Sequence, residues 1–69
     1  MDSTFEPKRL TERRKSQKLT QRGLADKAGV SQALIAELER GKHPPSKVSL
    51  AKIATALGVS ETDFFPAAS

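Results

Sequence analysis

Apolar positions in this chain recur at helical spacing and nowhere alternate in the manner of a strand. The clearest stripe is Leu50, Ile53, Ala54 and Leu57, at i, i+3, i+4 and i+7, which predicts a helix over residues 50–57. Ser49 stands at its N-cap position, and Gly58 at the left-handed position that closes a helix. Leu24, Ala25 and Ala28 form a second stripe, in a helix capped by Thr20 and ended by Gly29. Ile35 and Leu38 point to one side of a third helix, Gln32 to Arg40, which Ser31 caps and Gly41 closes. Upstream, Pro7 suits the first turn of a helix that runs to about Gln17, anchored by Leu10 with Phe5 as a lid. Ser60 and Asp63 resemble a capping box and open a short fifth helix, Glu61 to Phe65, stopped by Pro66. The pattern predicts an all-α fold of five short helices joined by tight turns.

Around this pattern, residues 1–6 read as a flexible N-terminal arm, 7–66 as one domain and 67–69 as a tail. Pro44 and Pro45 keep residues 42–48 out of helix. Gly23 breaks the rule inside the second helix, where it costs about 1 kcal/mol relative to Ala; close packing is the one reason the sequence offers.

Composition narrows the function. Sixty-nine residues supply one small domain, whose core must come from a few well-packed helices. With no cysteine and a single histidine, His43, thiol chemistry is excluded and no metal site is expected. No Ser/His/Asp set, glycine-rich phosphate loop or paired carboxylates stand out, so neither an enzyme nor a cofactor is expected. Three phenylalanines without tyrosine or tryptophan make a poor base-stacking platform for RNA. No apolar stretch is long enough for a membrane span or a signal sequence, so a cytoplasmic protein without membrane contact is the expectation.

Charge then points to a partner. Lys and Arg number 12 against 8 Asp and Glu, a net +4. Between Lys8 and Arg22 the only acid is Glu12, against Lys8, Arg9, Arg13, Arg14, Lys15, Lys18 and Arg22. After residue 52 the only charges are Glu61 and Asp63. This polarity fits a polyanion at one face, although a solvated basic helix has the same composition.

The segment QRGLADKAGVSQALIAELERGK places two short helices either side of a tight turn on Gly29. Ala25 is small enough for close helix crossing, and Val30, Ile35 and Leu38 pin the second helix onto the first. That is the geometry of a helix-turn-helix over residues 21–40; a plain helical hairpin shares it. The strings LTQRGLADKAGVSQALIAELERGK and PSKVSLAKIATALGVSETDFF, together and in order, resemble the Cro and phage-repressor (XRE) family. The resemblance implies a compact five-helix, lambda-repressor-like domain that binds operator DNA as a homodimer.

It also implies roles at matching positions. Gln21 takes a phosphate-binding place at the start of the second helix, beside Arg22. Ser31 and Gln32 enter the major groove, where Gln can bond adenine bidentately. Ala33 can meet only a thymine methyl, and Glu37 either accepts from cytosine N4 or repels wrong bases. Leu34 beside them is structural or a methyl contact. Arg40 grips phosphate rather than guanine, and Lys42 and His43 extend the same loop; His43 by itself reads as an exposed loop histidine. Arg14 and Glu39 match a structural salt bridge between the first and third helices. Lys18 departs from the family, which often has glycine there.

Phe64 and Phe65 are adjacent, so one should fill the core while the other joins Val59 and Pro66 in an apolar patch for dimer contact. The expected function is a sequence-specific, double-stranded-DNA-binding transcriptional regulator on a near-palindromic operator. The DFF ending is similar to that of restriction–modification controller proteins, while the third helix lacks their usual opening; prophage repressor and antitoxin are the other members of the class. RNA polymerase and a toxin are the further partners this class admits. The rival reading is an antitoxin-type protein-interaction module on the same fold.

Overall fold

Each helix after the first begins where a hydroxyl replaces a missing helical acceptor. The computed structural model describes residues 4–66: α1 Pro7–Ser16, α2 Gln21–Ala28, α3 Gln32–Glu39, α4 Lys47–Leu57, and a 3-10 turn at Glu61–Phe64. Thr20 Oγ1 accepts from the Gly23 amide at 2.9 Å, and Ser31 Oγ from the Leu34 amide at 3.0 Å. Proline at the first position serves α1 instead, with no side-chain cap. Gly29 at φ 73° and Gly58 at φ 70° end α2 and α4 in the left-handed region.

Two expected boundaries are corrected. The fourth helix starts at Lys47 rather than Leu50, because Ser46, not Ser49, is the cap: its Oγ accepts from the Ser49 amide at 3.1 Å. Ser46 itself is extended at φ −69°, ψ 164°, the backbone of an N-cap, which starts the helix one turn earlier. The expected fifth α-helix is a 3-10 turn, so the described residues form four α-helices and that turn. Pro66 disfavours helical backbone at Phe65, which is extended at φ −120°, ψ 155°. Asp63 does not complete a capping box with Ser60; its carboxylate lies 3.9 Å from Arg13.

Leu10, Leu24, Ile35, Leu38 and Phe64 are fully enclosed, with Ile53, Ala54 and Leu57 beside them. The single core sits where α2 packs on α3 and α4 and where α1 meets α3 and the 3-10 turn. Phe5 is also buried, with its ring centroid 6.1 Å from that of Phe64 and 6.3 Å from that of Phe65. The Glu6 amide donates to the Phe64 carbonyl at 2.8 Å. The expected flexible arm is therefore corrected over residues 4–6, whose apolar lid is part of the core; residues 1–3 and the tail 67–69 lie outside the described residues.

Three residues acquire reasons here. A Cβ on Gly23 would stand 3.2 Å from the Thr20 hydroxyl, so glycine leaves that cap undisturbed. Lys18 turns the chain between α1 and α2 at φ 58°, the only non-glycine residue at positive φ among those described. Gln17 donates its side-chain amide to the Leu57 carbonyl, satisfying an end group of α4.

Candidate nucleic-acid interface

The turn from α2 to α3 is three residues, Gly29, Val30 and Ser31. The Val30 amide donates to the Ala25 carbonyl at 3.0 Å, and Ala25 is buried at the crossing. Ile35 and Leu38 then commit one face of α3 to the core. On the other face Gln32 and Ala33 are exposed, Ala36 and Glu37 are half-buried and Arg40 is exposed. Leu34 packs against the core cluster, which favours its structural reading over a base contact. Ser31 spends its oxygen on the Leu34 amide and keeps a hydroxyl proton to donate. Arg22, Lys42 and His43 are exposed.

A polar network ties α1, α2 and α3 beneath this surface. Arg14 donates through Nε to Glu39 Oε2 at 2.7 Å and through Nη2 to Oε1 at 3.0 Å, a bidentate pair. Its Nη1 donates to the Leu19 carbonyl at 2.9 Å. Gln21 donates to Glu39 Oε1 at 3.0 Å, so its amide is shared between the network and any phosphate it meets. The Arg14 and Glu39 side chains are only 11% and 7% exposed. Burial alone pushes the Glu39 carboxyl up, but hydrogen bonds from Arg14, Gln21 and Thr11, with the Arg14 charge, outweigh it and hold the group below the usual carboxylate range. The hydrogen bond with Glu39 raises Arg14 above its ordinary value in return.

The basic window is partly consumed by such pairs. Arg9 meets Glu6, Arg13 meets Asp63 and Arg14 meets Glu39. The first two are exposed and contribute little to stability. Lys8, Lys15, Lys18 and Arg22 stay exposed on the same side of the sequence.

Beyond α3, Gly41 at φ 75° turns the chain back, and the Lys42 amide donates to the Glu37 carbonyl at 3.1 Å. That turn brings the His43 ring to Glu37, with Nε2 3.3 Å from Oε1, while Nδ1 lies 3.1 Å from the Pro44 carbonyl. Nothing in the spacing of these two residues announces that contact. The glycine at 41 was the signal available, since a left-handed residue there folds the loop over the last turn of α3.

At the other end, Phe64 is fully buried and is removed from the expected dimer-contact set. Phe65, Val59 and Pro66 are half-buried. Phe65 lines an open, mainly apolar cleft of about 580 Å³ with Phe5, Pro44, Pro45 and Leu50. Among the described residues no group of three or more His, Cys, Asp or Glu could hold a metal, and no helix is long and apolar enough to cross a membrane.

This architecture has known counterparts. A helix-turn-helix family model matches residues 10–64. An immunity repressor protein of Bacillus phage phi105 is 46% identical over 46 residues, covering 67% of this chain and 32% of the repressor, so the chain spans about a third of that relative. Among solved structures, the restriction-modification controller protein C.AhdI from Aeromonas hydrophila superposes with a TM-score of 0.82 at 34% identity, covering 86% of this chain and 89% of its own. The DNA-binding domain of the P22 C2 repressor gives a TM-score of 0.78 at 31% identity, covering 88% and 80%.

Proposed function

The chain belongs to the helix-turn-helix family, and from that premise we propose that it is a sequence-specific regulator of transcription acting on double-stranded DNA in the cytoplasm. The observation that carries the proposal is the outward face of α3. Gln32 and Ala33 stand exposed at its N-terminal end, while its opposite face is locked into the core and into α2. A helix held this way can enter a major groove about 12 Å wide with its first turn against base edges.

Gln32 supplies the donor–acceptor pair that adenine N7 and N6 require, and Ala33 supplies a methyl-sized apolar surface for thymine. Arg22 before this face, and Arg40 and Lys42 after it, neutralise phosphates and fix the register without reading sequence. The Arg14–Glu39–Gln21 network holds the angle between α2 and α3, so its contribution to recognition is through the fold. Relatives that carry the names repressor and controller protein support the regulatory reading.

We further propose that the protein acts as a homodimer, with Phe65, Val59 and Pro66 at the contact. Pairing would place two α3 helices about 34 Å apart, one turn of DNA, and require a near-palindromic operator. Bound across a promoter, such a dimer excludes or contacts polymerase.

The test is selection of binding sites from random duplex DNA at moderate salt. A two-fold consensus with half-sites one turn apart is expected; recovery of no consensus would overturn the reading. Phe65→Ser should convert a sedimenting dimer to monomer, and an intact dimer would remove that surface from the proposal.

A further inference from the structure

The contact between Glu37 and His43 sits at the edge of the proposed groove surface. Glu37 belongs to the same helix row as Ala33, one turn further on. His43 reaches it only because Gly41 folds the following loop back over α3. The imidazole is held between two oxygen acceptors, the Pro44 carbonyl at Nδ1 and the Glu37 carboxylate at Nε2. A neutral ring carries one N–H and satisfies one of them; the imidazolium satisfies both.

We propose that His43 is a positioning residue for base readout: its protonated ring tethers Glu37 to the loop by a charged hydrogen bond, and its neutral ring, with one N–H shared between two acceptors, loosens that carboxylate so that it can read the base pair opposite it. The inference rests on the DNA-reading role proposed for α3.

Surrounding charge agrees. The Pro44 carbonyl and Glu37 raise the His43 pKa above the ordinary histidine value, and the neighbouring Lys42 opposes them. The cleft beside His43 is lined from the N-terminal side by Thr4, Phe5 and Pro7, none of which ionises. The charged tether is therefore present below the ordinary histidine pKa and is lost as pH rises through the elevated one, leaving at most a neutral hydrogen bond shared with the Pro44 carbonyl. Tethered, Glu37 is turned from the bases and its charge is compensated beside the phosphates. Freed, it accepts from cytosine N4 and selects for that base.

Two measurements test this. Because His43 is the only histidine, its ring resonances titrate as one unambiguous NMR curve in the DNA-free protein. The midpoint should fall in Glu37→Gln; a midpoint unmoved by that change would overturn the tether. The second compares Kd for the selected duplex with Kd for duplexes altered at the pair facing Glu37, at pH 6 and pH 8. The ratio cancels phosphate attraction, and preference for cytosine should rise by about threefold or more at pH 8. Glu37→Gln should abolish the change, and His43→Gln should keep the pH 8 ratio at both pH values. An equal ratio at both pH values in the unsubstituted protein would overturn the readout role. Failure to recover any selected duplex would instead overturn the DNA-reading function, with the NMR curve still reporting on the tether.

Discussion

Replacing Glu39 by alanine removes the acceptor that joins three helices. Arg14 loses contacts of 2.7 and 3.0 Å, and Gln21 loses one of 3.0 Å. The guanidinium then keeps the Leu19 carbonyl at 2.9 Å with no counter-charge beside it. An exposed pair would cost roughly 0.2–1 kcal/mol. With side chains only 11% and 7% exposed, the pair belongs nearer the buried limit of about 3–5 kcal/mol. Because Arg14 reaches solvent by relaxing slightly, the expected loss is about 3 kcal/mol. A domain this size has roughly 3–10 kcal/mol in all. The melting temperature should fall by roughly 12–24 °C. Urea and thermal unfolding at neutral pH measure it, in a cycle with Arg14→Met, Glu39→Leu and the double variant. Removing both charges should recover much of the loss, since no uncompensated cation is left. A Glu39→Ala loss below about 1 kcal/mol, or single effects that add within about 0.5 kcal/mol, would refute the reasoning. The pH dependence has a fixed sign. Glu39 is held below the carboxylate range, so its stabilisation is complete above its unfolded pKa and is lost as pH falls through the folded one. Glu39→Gln should remove that part of the acid slope.

Further outcomes follow from local geometry. Lys18→Gly should stabilise the domain by about 0.5–1 kcal/mol, because lysine bears the cost of φ 58°; lower stability in chemical unfolding would contradict the turn conformation. Ser46→Ala should cost about 1 kcal/mol and Ser49→Ala clearly less, since Ser46 caps α4; the reverse order in the same assay would restore the later start. Arg40→Ala should make the slope of log K against log salt shallower by about one, measured on a selected duplex, and an unchanged slope would exclude a phosphate contact.

Much of the helical framework was legible because its signals are local. Thr20, Ser31, Gly29 and Gly58 mark ends by chemistry that acts within a few residues, and the apolar stripes mark the buried faces. What escaped depended on contacts distant in sequence or on competition between neighbours. Ser46 and Ser49 offered equivalent hydroxyls, and the extended backbone at Ser46 is what distinguishes them. Phe64 and Phe65 were interchangeable in sequence until Phe5 closed over Phe64 and the Glu6 amide bonded its carbonyl. Lys18 gave no conformational signal, since glycine is the residue that announces a positive φ. At the candidate site, the exposed residues of α3 followed from helical spacing, whereas the Gln21–Glu39 and Glu37–His43 contacts required the turns that bring those side chains together.

The central claim is that the first turn of α3 reads DNA sequence. It is tested most directly by the ratio of affinities for a selected duplex and a scrambled one, measured at fixed salt for the unsubstituted protein and for Gln32→Ala. The account predicts that Gln32→Ala lowers this ratio by roughly 5- to 150-fold, the span of about 1–3 kcal/mol for a good bidentate base contact, while binding to the scrambled duplex stays unchanged. An undiminished ratio would contradict it.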